Sequence, residues 1–72
     1  MNDKIIIPVI GKVYNHTNGN DYLCVGYMDG VSKLVRLSDG WTLKAHNLYQ
    51  NESGKIHWAY STEGHWEKQS NS

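Results

Sequence analysis

The sequence predicts an all-β protein, a small antiparallel meander of about five strands. Seven glycines are spread along the 72 residues, and most have Asn, Asp, Ser or Glu beside them. These residues favour tight turns, because glycine accepts a positive φ and Asn or Asp tolerates it. The runs between the turns are rich in β-branched and aromatic residues, and helical periodicity is weak throughout. Short strands joined by turns therefore account for the chain better than helices do.

The turns divide the chain into its elements. The clearest turns are expected at residues 18–20, 29–30, 38–40 and 52–54. The strands between them are predicted at residues 12–16, 22–28, 31–37, 41–49 and 55–60, with 5–10 as an extra edge strand. Residues 42–50 are the best helical candidate, and they are equally compatible with a kinked strand.

The size of the chain favours self-association. Residues 1–66 are predicted to form a single domain and residues 67–72 a flexible polar tail. A domain this small buries only about 60% of the surface of its unfolded chain, and the single cysteine, Cys24, excludes an internal disulfide. We therefore expect either a small barrel resembling an SH3 fold or an open sheet completed by dimerisation.

Charge and hydropathy limit the partners and the location. Seven basic and seven acidic residues give a net charge of zero, so nucleic-acid binding is not expected. Lys33, Arg36 and Lys44 are the only basic residues between positions 21 and 51, so an anionic ligand would meet few positive charges per chain. The apolar run at residues 5–10 is too short for a transmembrane helix and lacks the flanks of a signal peptide. We expect a cytoplasmic protein without membrane association, with Cys24 reduced and buried in a strand.

Four histidines raise the question of a metal site, but their spacing does not favour one. His16, His46, His57 and His65 are separated by 30, 11 and 8 positions. None of these gaps matches a ligand pair on a helix or on one face of a strand. No metal and no other cofactor is therefore expected.

Candidate catalytic side chains lie in the second half of the chain. Ser61 and Thr62 could supply a hydroxyl, and His46 and His65 could act as acid or base because histidine titrates near neutral pH. Proximity in sequence is weak evidence, since catalytic groups are recognised by geometry. Residues 61–64 are also compatible with an ordinary polar turn.

The aromatic residues favour a binding site. On a strand, Ile56, Trp58 and Tyr60 share one face and His57 points away, a pattern typical of a core or an interface. Trp and Tyr also keep a polar group that needs a partner when buried. Together with nearby cations they suit a flat, anionic ligand such as a nucleotide. The candidate ligand-binding residues are Trp41, Lys44, His46, Tyr49, Trp58, Tyr60, Ser61, Thr62 and His65.

Two motifs resemble small proteins encoded in phages and prophages of Gram-positive bacteria. The first is GWT-x-x-AH at residues 40–46, and the second is I-x-W-x-YS-T-x-G at residues 56–64. The resemblance covers about residues 11–66, with departures at 51–53 and at Ala59 from a more acidic pattern. It implies a phage accessory protein located in the host cytosol and assigns no activity. By association, a protein of this size in that setting is expected to act against a host system.

Three functions are compatible with these observations. The first is a homodimeric binding protein that antagonises host defence by holding a small nucleotide-like signal or by blocking a host protein. The second is a minimal hydrolase that degrades such a signal, with histidine as acid or base and Tyr60, Ser61 or Thr62 as the hydroxyl partner. The third is an SH3-like protein-interaction or phage-assembly module that binds a peptide or a sheet edge.

Overall fold

The structure is a computed structural model that describes residues 3–66. It contains six strands and, within that range, no helix. They are β1 (Lys4–Ile5), β2 (Val13–Asn15), β3 (Asp21–Met28), β4 (Val31–Arg36), β5 (Trp41–Gln50) and β6 (Ile56–Trp66). The predicted all-β antiparallel meander is confirmed. The predicted flexible tail, residues 67–72, lies outside the described residues.

All six strands belong to one antiparallel sheet, in which β2 to β6 are neighbours in chain order. Strand β5 lies at its centre, because it pairs with β6 along its whole length and, on its other edge, with β4 at residues 42–46. The short β1 pairs with the last two residues of β5. A single bridge joins His16 to Ile56, and the sheet is not closed into a barrel. The sheet is therefore open, and the closed SH3-like barrel is wrong; completion of the open sheet by dimerisation stays a prediction.

The first predicted strand is much shorter than expected. Only Lys4–Ile5 pairs with β5, followed by one further hydrogen bond from Ile6 N to Leu48 O at 2.9 Å. Pro8 has no N–H to donate to a ladder, which explains why the pairing does not continue. The segment 7–10 instead runs along the surface, with the apolar side chains of its other residues exposed.

The last predicted strand is much longer than expected. Residues 61–64, predicted as a polar turn, are part of β6 and contain a bulge. The pairing passes from Lys44↔Thr62 to Thr42↔His65, so two residues of β6 lie opposite Leu43. Glu63, within this bulge, has a φ of 54°. Turn-forming residues here bend a strand and do not end it.

The core lies on one face of the sheet, called here the core face. A row of cross-strand partners, Cys24, Leu34 and Leu43, crosses its centre and is almost completely buried. The remaining buried apolar residues are Tyr14, Tyr22, Ala45, Leu48 and Ile56. Burial raises the pKa of the Cys24 thiol, which keeps it protonated. The helical alternative for residues 42–50 is wrong, since they form the central strand of this core.

Candidate functional site

The opposite face of the sheet, called here the outer face, carries most of the chemically active side chains. Cross-strand pairing places Gly26, Lys33, Lys44 and Thr62 in one row across β3, β4, β5 and β6. The next row along the strands consists of Met28, Val31, His46 and Tyr60. Because directly paired residues share a face, these two rows form one continuous surface.

A cavity of about 620 Å³ lies on this outer face. Its volume is within the range of small-molecule sites, which is about 300–1,000 Å³. Its floor and walls combine apolar groups with lysine, histidine and threonine. The residues that line it are Gly26, Tyr27, Met28, Asp29, Val31, Lys33, Lys44, His46, Thr62 and Glu63.

The polar wall of the cavity is held together by contacts between β5 and β6. His46 Nε2 lies 2.8 Å from Thr62 Oγ1, a hydrogen bond between the two side chains. The His46 ring is stacked on Tyr60 with centroids 4.3 Å apart and planes 7° from parallel. Lys44 Nζ lies 3.1 Å from Glu63 Oε1. A hydroxyl, an imidazole, an ammonium group and a carboxylate therefore lie side by side.

The β6 bulge sets the position of this wall, and Trp41 sets the position of the bulge. A Cβ atom on Gly64 would lie 2.5 Å from Trp41 Cζ2, so only glycine allows the indole to lie against this backbone. Trp41 also packs edge-on against Trp66, with centroids 4.7 Å apart. Its backbone N–H donates to Asp39 Oδ1 at 3.1 Å. The double hydrogen bond from Arg36 to Asp39 lowers the pKa of that carboxyl, which keeps it charged as an acceptor.

The charges of the cavity are balanced in number but unevenly partnered. Lys33 on β4 lies directly opposite Lys44 on the neighbouring strand β5, and like charges in that position repel. Glu63 pairs with Lys44, and Asp29 lies in the turn between β3 and β4. Within residues 3–66, Lys33 has no ion-pair partner. The cavity therefore presents one ammonium group that is available to an anion and a second that is engaged by Glu63.

A second group of histidines lies near the opposite end of the β5–β6 hairpin. His57 Nε2 contacts Asp3 Oδ2 at 2.7 Å, and its ring stacks on Tyr49 with centroids 5.2 Å apart. His16 packs against Trp58, with centroids 4.4 Å apart, and its Nδ1 accepts a hydrogen bond from Asn18 N at 2.9 Å. Burial, together with the nearby charge of His57, lowers the pKa of His16. These histidines are engaged by packing and by the N-terminal segment.

Of the predicted ligand-binding residues, the structure brings four together: Lys44, His46, Tyr60 and Thr62. The other five are dispersed. Trp41 lies against Gly64, Ser61 lies opposite buried Ala45, and His65 bonds the Glu63 carbonyl through Nδ1 at 2.9 Å. Tyr49 and Trp58 belong to the second histidine group.

Several residues that line the cavity are not among the predicted ligand-binding residues. Gly26, Met28, Val31 and Lys33 reach it only through the register of β3 and β4, which is not visible in the sequence. Glu63 belongs to the bulge. A local signal for it existed, because Glu followed by Gly after a β-prone run is compatible with a bulge as well as with a turn.

The chemistry of the site is that of binding and proton transfer. Among the described residues, no group of three or more His, Cys, Asp or Glu side chains is arranged to hold a metal ion. His46 and Thr62 can exchange a proton along their hydrogen bond. The Glu63 carboxylate forms its ion pair with Lys44 and does not orient the His46 imidazole. No helix long and apolar enough to cross a bilayer occurs between residues 3 and 66.

The resemblance to phage-encoded proteins stays a prediction, and the site must be interpreted from its own geometry. Comparisons of the chain with protein-family models, curated proteins and solved structures found no match.

Proposed function

We propose that this protein binds a small, flat, anionic ligand of the nucleotide class in the outer-face cavity. One observation carries the proposal: two cross-strand rows place two lysines, a histidine that is stacked on Tyr60, and a hydroxyl around one open cavity of about 620 Å³. Pockets with mostly apolar walls and a few convergent polar groups are typical of ligand sites. Lys33 and Lys44 are the groups that would attract the anion.

Each part of such a ligand has a matching surface. The His46 ring, which lines the cavity and is supported from behind by the stacked Tyr60 ring, offers an aromatic surface against which a base can stack. Met28 and Val31 supply apolar contact beside it. The Thr62 hydroxyl can donate to or accept from a ribose or a phosphate oxygen.

The biological setting of the proposal rests on the resemblance in residues 40–46 and 56–64. In that setting the protein would act in the host cytosol against host defence, by sequestering a nucleotide-like signal. Blocking of a host protein is the other form of the same antagonism. The first form is the one that the cavity supports, since its volume and charges suit a small molecule.

The binding proposal can be tested by isothermal titration with a panel of nucleosides, nucleoside monophosphates and cyclic nucleotides. At least one phosphorylated member is expected to bind, and Lys44→Gln is expected to weaken it about tenfold, the loss of roughly 1.4 kcal/mol. Lys55→Gln is the matched control, because Lys55 is an exposed lysine outside the cavity. Absence of binding by every member of the panel would contradict the proposal.

We also propose that the protein is a homodimer, and a separate observation supports it. Ile7, Val9 and Ile10 in the N-terminal segment are 69%, 59% and 62% exposed. A small domain that leaves several large apolar side chains in water gains stability by covering them with a second copy. Light scattering after size exclusion is expected to give the mass of two chains, and Ile7→Lys to shift it toward one. A single-chain mass for the unmodified protein at high micromolar concentration would exclude the dimer.

Hydrolysis is the second candidate function, and the His46–Thr62 hydrogen bond favours it. His46 Nε2 can accept the proton of the Thr62 hydroxyl, or of a water in its place, as that oxygen bonds to the phosphorus of a phosphoester. The bond from phosphorus to the nucleoside oxygen breaks in the same step, and His46 returns the proton to that leaving oxygen. If Thr62 is the nucleophile, a water then hydrolyses the phosphothreonine in a second step. Incubation with each bound nucleotide, followed by chromatography, is expected to show product in this case. Loss of product with both His46→Gln and Thr62→Val would support hydrolysis. Unchanged nucleotide after prolonged incubation with the unmodified protein would exclude hydrolysis and leave binding as the only proposed function of the cavity.

A further inference from the structure

We infer that the Glu63 carboxylate occupies the anion subsite of the cavity, and that the ligand carries a terminal phosphomonoester that displaces Glu63 from Lys44. This inference rests on the proposed nucleotide-binding function and specifies the class of ligand. Glu63 Oε1 lies 3.1 Å from Lys44 Nζ, and both residues line the cavity. A carboxylate in that place imitates one edge of a bound anion.

The Lys44–Glu63 ion pair is weak enough to be exchanged for a ligand. The two side chains are 43% and 65% exposed, and exposed ion pairs of this kind contribute little to stability. Glu63 lies in a bulge of β6. Within the described residues, this part of β6, from Tyr60 onward, pairs with β5 and with no other strand. The side chain can therefore leave Lys44 without disturbing the buried core.

The position of Lys33 explains why a phosphate would replace the carboxylate. Lys33 is paired directly opposite Lys44, and two ammonium groups in this position repel each other. Glu63 offsets one of the two charges. An anionic group that lies between the two ammonium groups can contact both lysines, whereas Glu63 forms its ion pair with Lys44 alone.

The charge of the ligand decides which phosphate fits. A phosphomonoester carries a charge of about −1.5 to −2 near pH 7 and three acceptor oxygens, so it matches two lysines. A cyclic diester carries a single charge, so its exchange for Glu63 replaces one negative charge by another and gains little. Asp29, also in the lining, repels every anion and repels a doubly charged one more, so the preference for the phosphomonoester rests on the two lysines. Adenosine monophosphate is thus expected to bind more tightly than cyclic adenosine monophosphate, and adenosine least.

The test is isothermal titration of these three compounds, at pH 7.5, into the unmodified protein and three variants. Glu63→Gln removes the competing carboxylate and is expected to tighten adenosine monophosphate binding about threefold, the size of an exposed ion pair. Glu52→Gln is the matched control, since it removes one exposed carboxylate outside the cavity, and its affinity should equal that of the unmodified protein. In Lys44→Gln/Glu63→Gln, compared with Lys44→Gln alone, the threefold gain should be absent.

The outcomes separate this inference from the function on which it rests. If adenosine monophosphate binds the unmodified protein and Glu63→Gln binds it no more tightly, displacement of Glu63 is wrong while nucleotide binding stands. If the cyclic nucleotide binds as tightly as the monophosphate, the phosphomonoester assignment is wrong. If neither these compounds nor any other member of the nucleotide panel binds the unmodified protein or Glu63→Gln, both the inference and the proposed function fail.

Discussion

The two halves of the β5–β6 hairpin contain similar residues and differ in what surrounds them. The half next to the hairpin turn, called here the proximal half, pairs residues 48–50 with 56–58. The half farther from the turn, called here the distal half, pairs 41–46 with 60–66. Each half has a histidine stacked on a tyrosine: His57 on Tyr49 in the first, and His46 on Tyr60 in the second. In the proximal half the neighbouring Ile56 is fully buried, whereas Tyr60 in the distal half is 56% exposed.

The difference lies in the covering elements. The proximal half is covered by β1, by Asp3 and by the residues around His16, which contact His57, Trp58 and the Ile56 carbonyl. The distal half has no such cover within residues 3–66, and its bulge turns polar groups toward the outer face. Histidine and aromatic content is therefore common to a packing region and a candidate site, and the bulge distinguishes them.

Removal of a proximal side chain should have the largest effect on stability. Ile56→Ala deletes a fully buried side chain and is expected to lower the free energy of unfolding by about 2–5 kcal/mol. Tyr60→Ala, in the distal half, is the control and should cost much less, because more than half of that side chain is already in water. Urea denaturation followed by tryptophan fluorescence measures both. Equal losses would remove the distinction between the halves.

A methyl group at Gly64 should disturb the distal half alone. Because a Cβ there would lie 2.5 Å from Trp41 Cζ2, Gly64→Ala must displace the indole or the bulge, at a cost of about 1–3 kcal/mol. Gly26→Ala is the control, since its Cβ would meet only Lys33 Cβ at an ordinary 3.8 Å. Near-ultraviolet circular dichroism should change for Gly64→Ala and not for Gly26→Ala. An unchanged tryptophan signal and stability in Gly64→Ala would show that Trp41 does not hold the bulge.

Acid should weaken the proximal half through His16. Its pKa is lowered in the folded protein, first by burial, so the unfolded chain binds the proton more readily. The contribution of neutral His16 is complete above its unfolded pKa of about 6.5 and decreases as pH falls through and below that value. Protonation of Nδ1 also removes the acceptor for Asn18 N, at about 1 kcal/mol.

The measurement is the urea midpoint at pH 7.5 and at pH 5.5. The unmodified protein should lose more stability between the two values than His16→Gln does. His65→Gln serves as control, because His65 is exposed in the distal half, and it should lose as much as the unmodified protein. A His16→Gln variant with an unchanged pH dependence would exclude His16 as the titrating group.

The smallest expected change in stability concerns Thr62. Thr62→Val removes the hydrogen bond to His46 at an exposed position, and the free energy of unfolding should change by no more than about 0.5 kcal/mol. Affinity for adenosine monophosphate should nevertheless fall several-fold, because the hydroxyl faces the cavity. A lower free energy of unfolding with unchanged affinity for adenosine monophosphate would indicate a purely structural role for Thr62.

Much of the fold could be predicted because the turn residues and the β-prone runs agree along most of the chain. The extension of β6 could not be predicted, because residues 61–64 are of types that favour turns. They stay in the sheet because this part of β6 pairs with the long strand β5. Tertiary pairing outweighs local preference there. The edge strand was overpredicted, since the apolar residues 5–10 suggested pairing that Pro8 does not allow.

The candidate site was predictable only where it is local in sequence. Lys44, His46, Tyr60 and Thr62 were selected because they lie in two conspicuous segments. Lys33 lies eleven residues before Lys44 in the sequence and faces it only through the β4–β5 register, which no local pattern encodes.

Amide chemical shifts during titration with adenosine monophosphate test the central claim most directly, namely that the distal outer face is the binding site. The account predicts that the shifts of Lys33, Lys44, His46 and Thr62 change in a saturable way, while those of the proximal half stay constant. Saturable changes confined to the proximal half, or no changes at millimolar nucleotide, would contradict it.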